Sequence, residues 1–394
     1  GAEGGIYPRS IRPVIYQDCI IWGGKTFLDP TFTTPAPQQT IRVGGQKYVI
    51  GTHAGRIIGT GAGAAPADTS SPDVRVYRIR RDYRDTFWEE LRRDAADYFE
   101  TSTSAVTEAQ MNQIYSRYEK DWREWPVQYG APYIERNGTP GFQAPHPELP
   151  ASELIRGKYD EPGVAGADPN VPADQVIWTV YNDLDRSATL AFSGSEPLGL
   201  EVQVTLWAYK GYNALGNIYF KKVKLINKGG VDIGGGRKGS FWIDSMFVGQ
   251  WSDPDIGDYA DDLVGCDPQL NMGFAYNSKG TDEEFQKYNL PPPAIGYDYL
   301  QGPIVPGTPS DTGVFDLKRV RGKKNLAMTS FTYDPQVRGG GFTFDPRLRL
   351  WRQLQGFMPD PPPAPWRLYP HPPGVSPTRF PLSGDPVTQS GFVD

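Results

Sequence analysis

Residues 201–210 read EVQVTLWAYK, and this stretch decides the fold class because apolar and polar residues alternate along it. Successive side chains of an extended chain point to opposite sides. One face therefore carries four apolar residues: Val202, Val204, Leu206 and Ala208. Residues 176–183, VIWTVYND, are similarly rich in β-branched and aromatic residues. Strands at this spacing, joined by turn residues, predict a mainly β protein with an antiparallel β-sandwich core and long Pro/Gly-rich loops.

The first sixty residues also predict strands. Residues 14–22 (VIYQDCIIW) are rich in β-branched and aromatic side chains, and the Gly23-Gly24 pair is expected to end this strand. Residues 41–52 (IRVGGQKYVIGT) carry Gly44-Gly45 between two short apolar stretches, which predicts a β-hairpin with the glycines at its tip. Further strands are expected at 74–80, 240–251 and 325–334.

Residues 82–125 have helical rather than strand periodicity. Apolar residues in 87–99 recur at helical spacing, and Thr107 with Gln110 forms a capping-box pattern before a second helix over 107–123. Pro126 is expected to end that helix. The pattern predicts a helical hairpin inserted into a β protein.

These features divide the chain into four predicted regions. They are an N-terminal β region (1–80), the helical hairpin (81–126), the β-sandwich with an acidic loop (127–335), and a short helix with an extended Pro-rich tail (336–394). In the last region Asp345 and Pro346 supply an N-cap and first-turn pair, and Gly356 follows the helix. The tail carries several aromatic residues, so we expect it to be ordered and packed against a surface.

The overall composition excludes some functional classes. The 394 residues carry a formal charge of −6, which gives no reason to expect nucleic-acid binding, and no apolar run is long enough to span a membrane. Aromatic residues make up 13% of the chain, which argues against disorder. Cys19 and Cys266 form no metal-binding or haem-attachment motif. We expect both to be reduced and buried, although an oxidising compartment would permit pairing.

The densest group of candidate ligands lies in residues 251–267, WSDPDIGDYADDLVGCD. We expect this segment to be a loop leaving the strand 240–251. Oxygen-rich loops of this kind bind hard cations such as Ca²⁺, with a structural role. The candidate ligands are Asp253, Asp255, Asp258, Asp261, Asp262 and Asp267. The alternative is a solvated acidic turn whose side chains cap the backbone.

A second acidic turn follows a strand at Asp183-Leu184-Asp185. Its carboxylates would either add ligands to the same ion or cap the loop.

The sequence contains no catalytic motif. His53, His146 and His371 are the three histidines, and they belong to no HExxH, GxSxG or Cys–His pattern. A glycosidase needs only two carboxylates, so a carbohydrate-active or other hydrolytic enzyme stays an alternative.

Several phrases resemble a family of large secreted proteins from Bacteroidota and Ignavibacteria-like bacteria, which usually end in a type IX secretion sorting domain. They include YEKDWREWP (118–126), QVIWTVYNDLD (175–185), PLGLEVQVTLWAY (197–209), DSMFVGQWSDPDIGDYADDLVGCD (244–267), PPAIGYDYLQGPIVPG (292–307) and FPLSGDPVTQSGFVD (380–394). The resemblance implies export and attachment to, or release from, the cell surface. It implies no particular activity. Because no sorting domain is present, we expect a processed or partial chain.

These observations together predict a secreted structural or interaction protein of the bacterial surface, which self-assembles into a filament, sheath or matrix. Its expected partners are further copies of itself, other surface proteins or glycans. No catalytic residue and no organic cofactor are predicted, and the predicted ion is Ca²⁺.

Overall fold

The computed structural model describes residues 4–9, 11–48, 50–80, 82–84, 88–132, 173–211, 214–315, 318–333, 345–360, 365–370 and 375–393. Over this part the protein is mainly β, as predicted. The strands are β1 (Gly5–Ile6), β2 (Pro13–Phe27), β3 (Ile41–Gly45), β4 (His53–Ala54), β5 (Ile57–Ile58), β6 (Ala65–Pro66), β7 (Tyr77–Arg80), β8 (Gln175–Asn182), β9 (Leu200–Ala208), β10 (Tyr219–Asn227), β11 (Val231–Asp232), β12 (Lys238–Gly239), β13 (Trp242–Pro254), β14 (Asp262–Asp267), β15 (Met272–Asn277), β16 (Ala294–Asp298), β17 (Ile304–Pro306), β18 (Thr312–Phe315), β19 (Lys318–Arg321) and β20 (Lys323–Asn325). The helices are α1 (Trp88–Phe99), α2 (Glu108–Arg123), α3 (Arg186–Ser193), α4 (Glu283–Gln286) and α5 (Pro346–Leu354).

The first large sheet is built around β2. Strands β1, β3 and β13 each pair with β2, all antiparallel. Because β2 lies in the predicted N-terminal region and β13 in the predicted sandwich region, these two regions share a sheet. The division into four regions stays a prediction.

The second large sheet has the order β10-β9-β8-β4, with β7 also paired to β8. Strands β8 and β9 confirm the alternating segments of the sequence. Their register pairs Trp178 with Thr205 and Val180 with Gln203. Side chains of both large sheets meet in one core cluster, in which Trp22 of β2 lies with Leu200 and Val202 of β9.

Two pairs of glycines were wrongly predicted to interrupt strands. Strand β2 continues through Gly23 and Gly24 to Phe27, and Gly44 and Gly45 lie inside β3. A Cβ on Gly24 would stand 2.5 Å from Ile243 Cγ2, and one on Gly44 would stand 2.5 Å from Trp22 Nε1. These glycines therefore permit close packing within the first sheet, and β3 pairs with β2 instead of folding into its own hairpin.

Helices α1 and α2 confirm the helices predicted at 87–99 and 107–123, except that residue 87 lies outside the described residues. Thr107 and Gln110 form the predicted capping box, although α2 ends at Arg123, before Pro126. Leu91 and Ile114 pack in one cluster with Ile79 and Trp178 of the second sheet. Strand β7 begins at Tyr77, three residues later than predicted.

A third sheet, β14-β15-β16, follows the acidic segment. Of the strand predicted at 325–334, residues 326–333 form no strand, and residue 334 lies outside the described residues. The backbone N–H of Met328 donates to Asn271 Oδ1, and that of Phe331 donates to the Arg379 carbonyl, so these groups form no strand ladder.

Helix α5 has the predicted N-cap at Asp345, and Gly356 after its end has φ +77°. The described part of the tail packs against its own chain, as expected for an ordered segment. The Cys266 N–H donates to the Leu382 carbonyl at 3.1 Å, and the side chains of Tyr369 and Leu382 are buried.

Cys19 and Cys266 are unpaired and buried, which confirms the prediction for both. Burial raises the pKa of each thiol to about 12. No helix within the described residues is long and apolar enough to cross a membrane.

Candidate functional site

The six predicted cation ligands are spread over two strands and the turn between them. Strand β13 runs on through Asp253 to Pro254, where it pairs with β2, and residues 262–267 form β14. The prediction of one long loop over 251–267 is therefore wrong. Only the turn between these strands is irregular, and it includes a short 3₁₀ helix over Tyr259–Asp261.

Three of these carboxylates are occupied by neighbouring donors. Asp258 accepts from the Ala260 N–H, and Asp267 accepts from the N–H groups of Gln269 and Leu270. Asp261 accepts from Asn277 Nδ2 and from Lys279 Nζ. Such contacts are expected for the alternative interpretation, an acidic turn whose side chains cap the backbone.

Asp253 and Asp255 lie where β13 meets the turn. Asp253 Oδ2 accepts from the Tyr48 hydroxyl at 2.9 Å. Burial raises the pKa of Asp255, and the nearby Asp253 charge raises it further. Because Asp253 is close, Asp255 is protonated more readily than an isolated aspartate.

Asp262 is the least satisfied carboxylate of the segment. Its Oδ2 accepts from the Ile256 N–H at 2.8 Å, but its Oδ1 is buried and has no hydrogen-bond partner among the described residues. Burial raises the pKa of Asp262 to about 7, and the charges of Asp255, Asp261 and Asp282 add to the rise.

Asp282, outside the predicted segment, is buried beneath this turn. It accepts from the N–H groups of Asp258, Glu284 and Phe285 and so caps α4. Across the described ranges, no group of three or more His, Cys, Asp or Glu side chains is arranged to hold a metal ion. Calcium binding stays a prediction.

The second acidic turn is a capping element. Asp185 is the N-cap of α3, where its Oδ1 accepts from the Ser187 and Ala188 N–H groups. Asp183 is fully buried and accepts from the N–H groups of Leu198, Gly199 and Leu200 at 2.7–2.9 Å. Burial raises the pKa of Asp183 to about 6, and the three donors oppose that rise.

A cleft of about 520 Å³ lies between the two large sheets, and the sequence did not predict it. Its walls come from β2 on one side and from β8, β9 and β10 on the other. Most lining side chains are apolar or aromatic, and they include Ile20, Ile177, Tyr181, Val204, Leu206 and Trp207.

One wall of the cleft carries a hydrogen-bonded polar group around Asp18. Tyr219 donates its hydroxyl to Asp18 Oδ2, and Ser252 Oγ donates to Asp18 Oδ1 at 2.6 Å. The Tyr297 hydroxyl lies within hydrogen-bond distance of Ser252 Oγ. Both oxygens of this carboxylate are therefore occupied, and Asp18 is the one acidic residue among the described lining residues.

Lys221 projects into the same cleft from β10. No described residue forms an ion pair or a hydrogen bond with its ammonium group. Burial lowers the pKa of Lys221, while Asp18 and Cys19 act in the opposite direction. An ammonium group that is partly buried in such a cleft has lost hydration that an anionic ligand could replace.

The sequence did contain a signal for Lys221. In YFKKVKLIN, alternation places Lys221 on the same face as Val223 and Leu225, which pack in the core between the sheets. Lys222 and Lys224 fall on the opposite face and line a separate small recess beside Ala131. A lysine on the same strand face as core residues indicates a charged side chain that points between the sheets.

No protein-family model, curated protein or solved structure matches this chain.

Proposed function

We propose that this protein is a secreted structural or interaction protein of the bacterial surface, and that it self-assembles into a filament, sheath or matrix. The observation that carries the proposal is the two-sided character of the Pro-rich tail. Its inner residues anchor it to its own chain, while large apolar side chains of the same segment face outward.

The tail is held to its own chain by backbone hydrogen bonds and by buried side chains. The tail lies beside β14, where Cys266 bonds to the Leu382 carbonyl, and Tyr369 pairs with Thr378 within the tail. Tyr369 and Leu382 are only 3% and 4% exposed. A segment of little regular structure is thereby held in one place, which reduces the entropy lost when a partner binds to it.

The outer residues are Trp366, Val375 and Val387, which are 40%, 53% and 90% exposed. Covering such side chains against another molecule removes apolar surface from water, which favours association. A second copy of the chain is the partner that self-assembly requires.

The finer architecture belongs to the same proposal. The core cluster shared by the two large sheets supports an antiparallel β-sandwich, and the contact between α1 and α2 supports a helical hairpin inserted between β7 and β8. The hydrolase alternative gains no support from the inter-sheet cleft, because Asp18 is the one carboxylate among its described lining residues.

Deletion of residues 357–394 tests the proposal together with a gentler variant, Trp366→Ser/Val375→Ser/Val387→Ser. We expect the purified full chain to form large particles by analytical ultracentrifugation and electron microscopy. The triple variant should be monomeric and still folded, because it retains Tyr369 and Leu382. Its melting temperature should fall only slightly, through loss of the Trp366 ring contacts with Phe357 and Arg352.

Trp88→Ser is the matched control, since Trp88 is a 55% exposed aromatic residue on α1. This variant should assemble like the parent chain. A full chain that stays monomeric at high concentration, or a triple variant that assembles normally, would overturn the proposal.

A further inference from the structure

We propose that the cleft between the two large sheets binds an elongated apolar ligand with a single carboxylate group, and that this group pairs with Lys221. The proposal is independent of self-assembly, because the cleft lies between the sheets and the exposed tail residues do not line it.

The size and lining of the cleft suit one small molecule. Its volume of about 520 Å³ falls within the range of small-molecule sites. The two sheets are in close contact around Trp22 and Leu200, which are almost completely buried. At the cleft the same two sheets leave space between Ile20 and Leu206, so an apolar body could extend the core cluster.

The charge of the ligand follows from Lys221. Its stem leaves the apolar face of β10 and its ammonium group has no ion-pair or hydrogen-bond partner among the described residues. An anion bound here would supply the missing partner. The charged and titratable groups that line the cleft with it are Tyr16, Asp18 and Cys19 on β2, Tyr181 on β8 and Tyr219 on β10.

These neighbours restrict the ligand to one negative charge. Asp18 accepts its hydrogen bonds from Tyr219 and Ser252 and not from Lys221. Its negative charge would nevertheless repel a second charge on the ligand. A monocarboxylate brings the one negative charge that pairs with Lys221, whereas a phosphate or dicarboxylate would bring further negative charge close to Asp18.

The test is isothermal titration calorimetry of the full chain with sodium dodecanoate, and with dodecanol as the uncharged probe. We expect saturable binding of dodecanoate at one site per chain. Lys221→Met keeps an unbranched apolar side chain and removes the charge, and it should weaken dodecanoate binding about tenfold. It should leave dodecanol binding unchanged.

Lys222→Met is the matched control, because Lys222 is the adjacent residue and faces the opposite side of the sheet. It should bind dodecanoate like the parent chain. Leu206→Trp, which fills the cleft, should abolish binding of both probes, and equal melting temperatures would show that the variants are folded. Absence of saturable binding in the parent chain would overturn the proposal. So would equal affinities of the Lys221→Met and parent chains, or an equal loss in Lys222→Met.

Discussion

The two acidic turns of this protein look alike in sequence but differ in what surrounds their carboxylates. Asp183 is fully buried and meets three backbone N–H donors, whereas Asp262 meets one donor and three other carboxylates. The first arrangement provides the carboxylate with backbone hydrogen bonds that offset part of the cost of its burial. The second is stabilised by gaining a proton or a positive charge. The number of donors, rather than the number of aspartates, separates a structural turn from a turn that can respond to its surroundings.

The largest effect should come from removing the satisfied carboxylate. Asp183→Ala leaves three buried N–H groups without their acceptor, and we expect it to lower the free energy of unfolding by about 3 kcal/mol or more. Asp185→Ala removes only an N-cap, for which about 1 kcal/mol is expected. Urea denaturation followed by circular dichroism would measure both. Equal losses in the two variants would contradict the distinction between buried and peripheral caps.

The sequence predicted those features that are determined locally. Alternation in 201–210 identified β9, and the Thr107–Gln110 pair identified the start of α2. It misread Gly44-Gly45 as a turn, because nothing local shows that Trp22 lies where their side chains would be. The glycines are required there by packing against Trp22, a residue distant in sequence.

The acidic segment was located from the sequence, but its structure was not, because that too depends on long-range pairing. Clustering of aspartates drew attention to 251–267, but the pairing of β13 with β2 divides the segment into strand and turn. Asp282 was missed because it is distant in sequence and reaches the turn only through the fold. Identifying Lys221 as a cleft residue required knowing which face of β10 meets the first sheet.

A smaller effect is expected from pH, and Asp262 contributes to it alongside Asp183, whose pKa burial raises to about 6. The folded state raises the pKa of the Asp262 carboxyl to about 7, above its ordinary value of 3.8. The folded protein therefore holds a proton that the unfolded chain has already released, so stability should be greatest at low pH within this interval and fall as pH rises towards 7. Because the group is partly exposed, we expect a loss of only about 1 kcal/mol between pH 5 and pH 8.

Asp262→Asn isolates this contribution. The amide keeps an oxygen for the Ile256 N–H and removes the charge facing Asp255, Asp261 and Asp282. In EDTA-containing buffer the variant should be more stable than the parent at pH 8 and nearly equal to it at pH 5. Asp258→Asn removes a charge from a more exposed cap, and its gain at pH 8 should be smaller. A variant that is less stable than the parent at pH 8 would contradict the argument.

The smallest effect concerns the predicted calcium ion. If the carboxylates around Asp262 take up Ca²⁺, the cation replaces the proton as the source of positive charge, and its effect should appear at pH 8 rather than at pH 5. A weak site with a dissociation constant of about 1 mM would stabilise the fold by only about 0.6 kcal/mol at ~2 mM Ca²⁺. Differential scanning calorimetry at pH 8 should therefore show a small rise in melting temperature with CaCl₂ and its reversal by EDTA. Asp262→Asn should abolish the rise, while Asp185→Asn, which alters the other turn, should retain it. A parent chain whose melting temperature does not change with CaCl₂ or EDTA would rule out calcium binding at this turn.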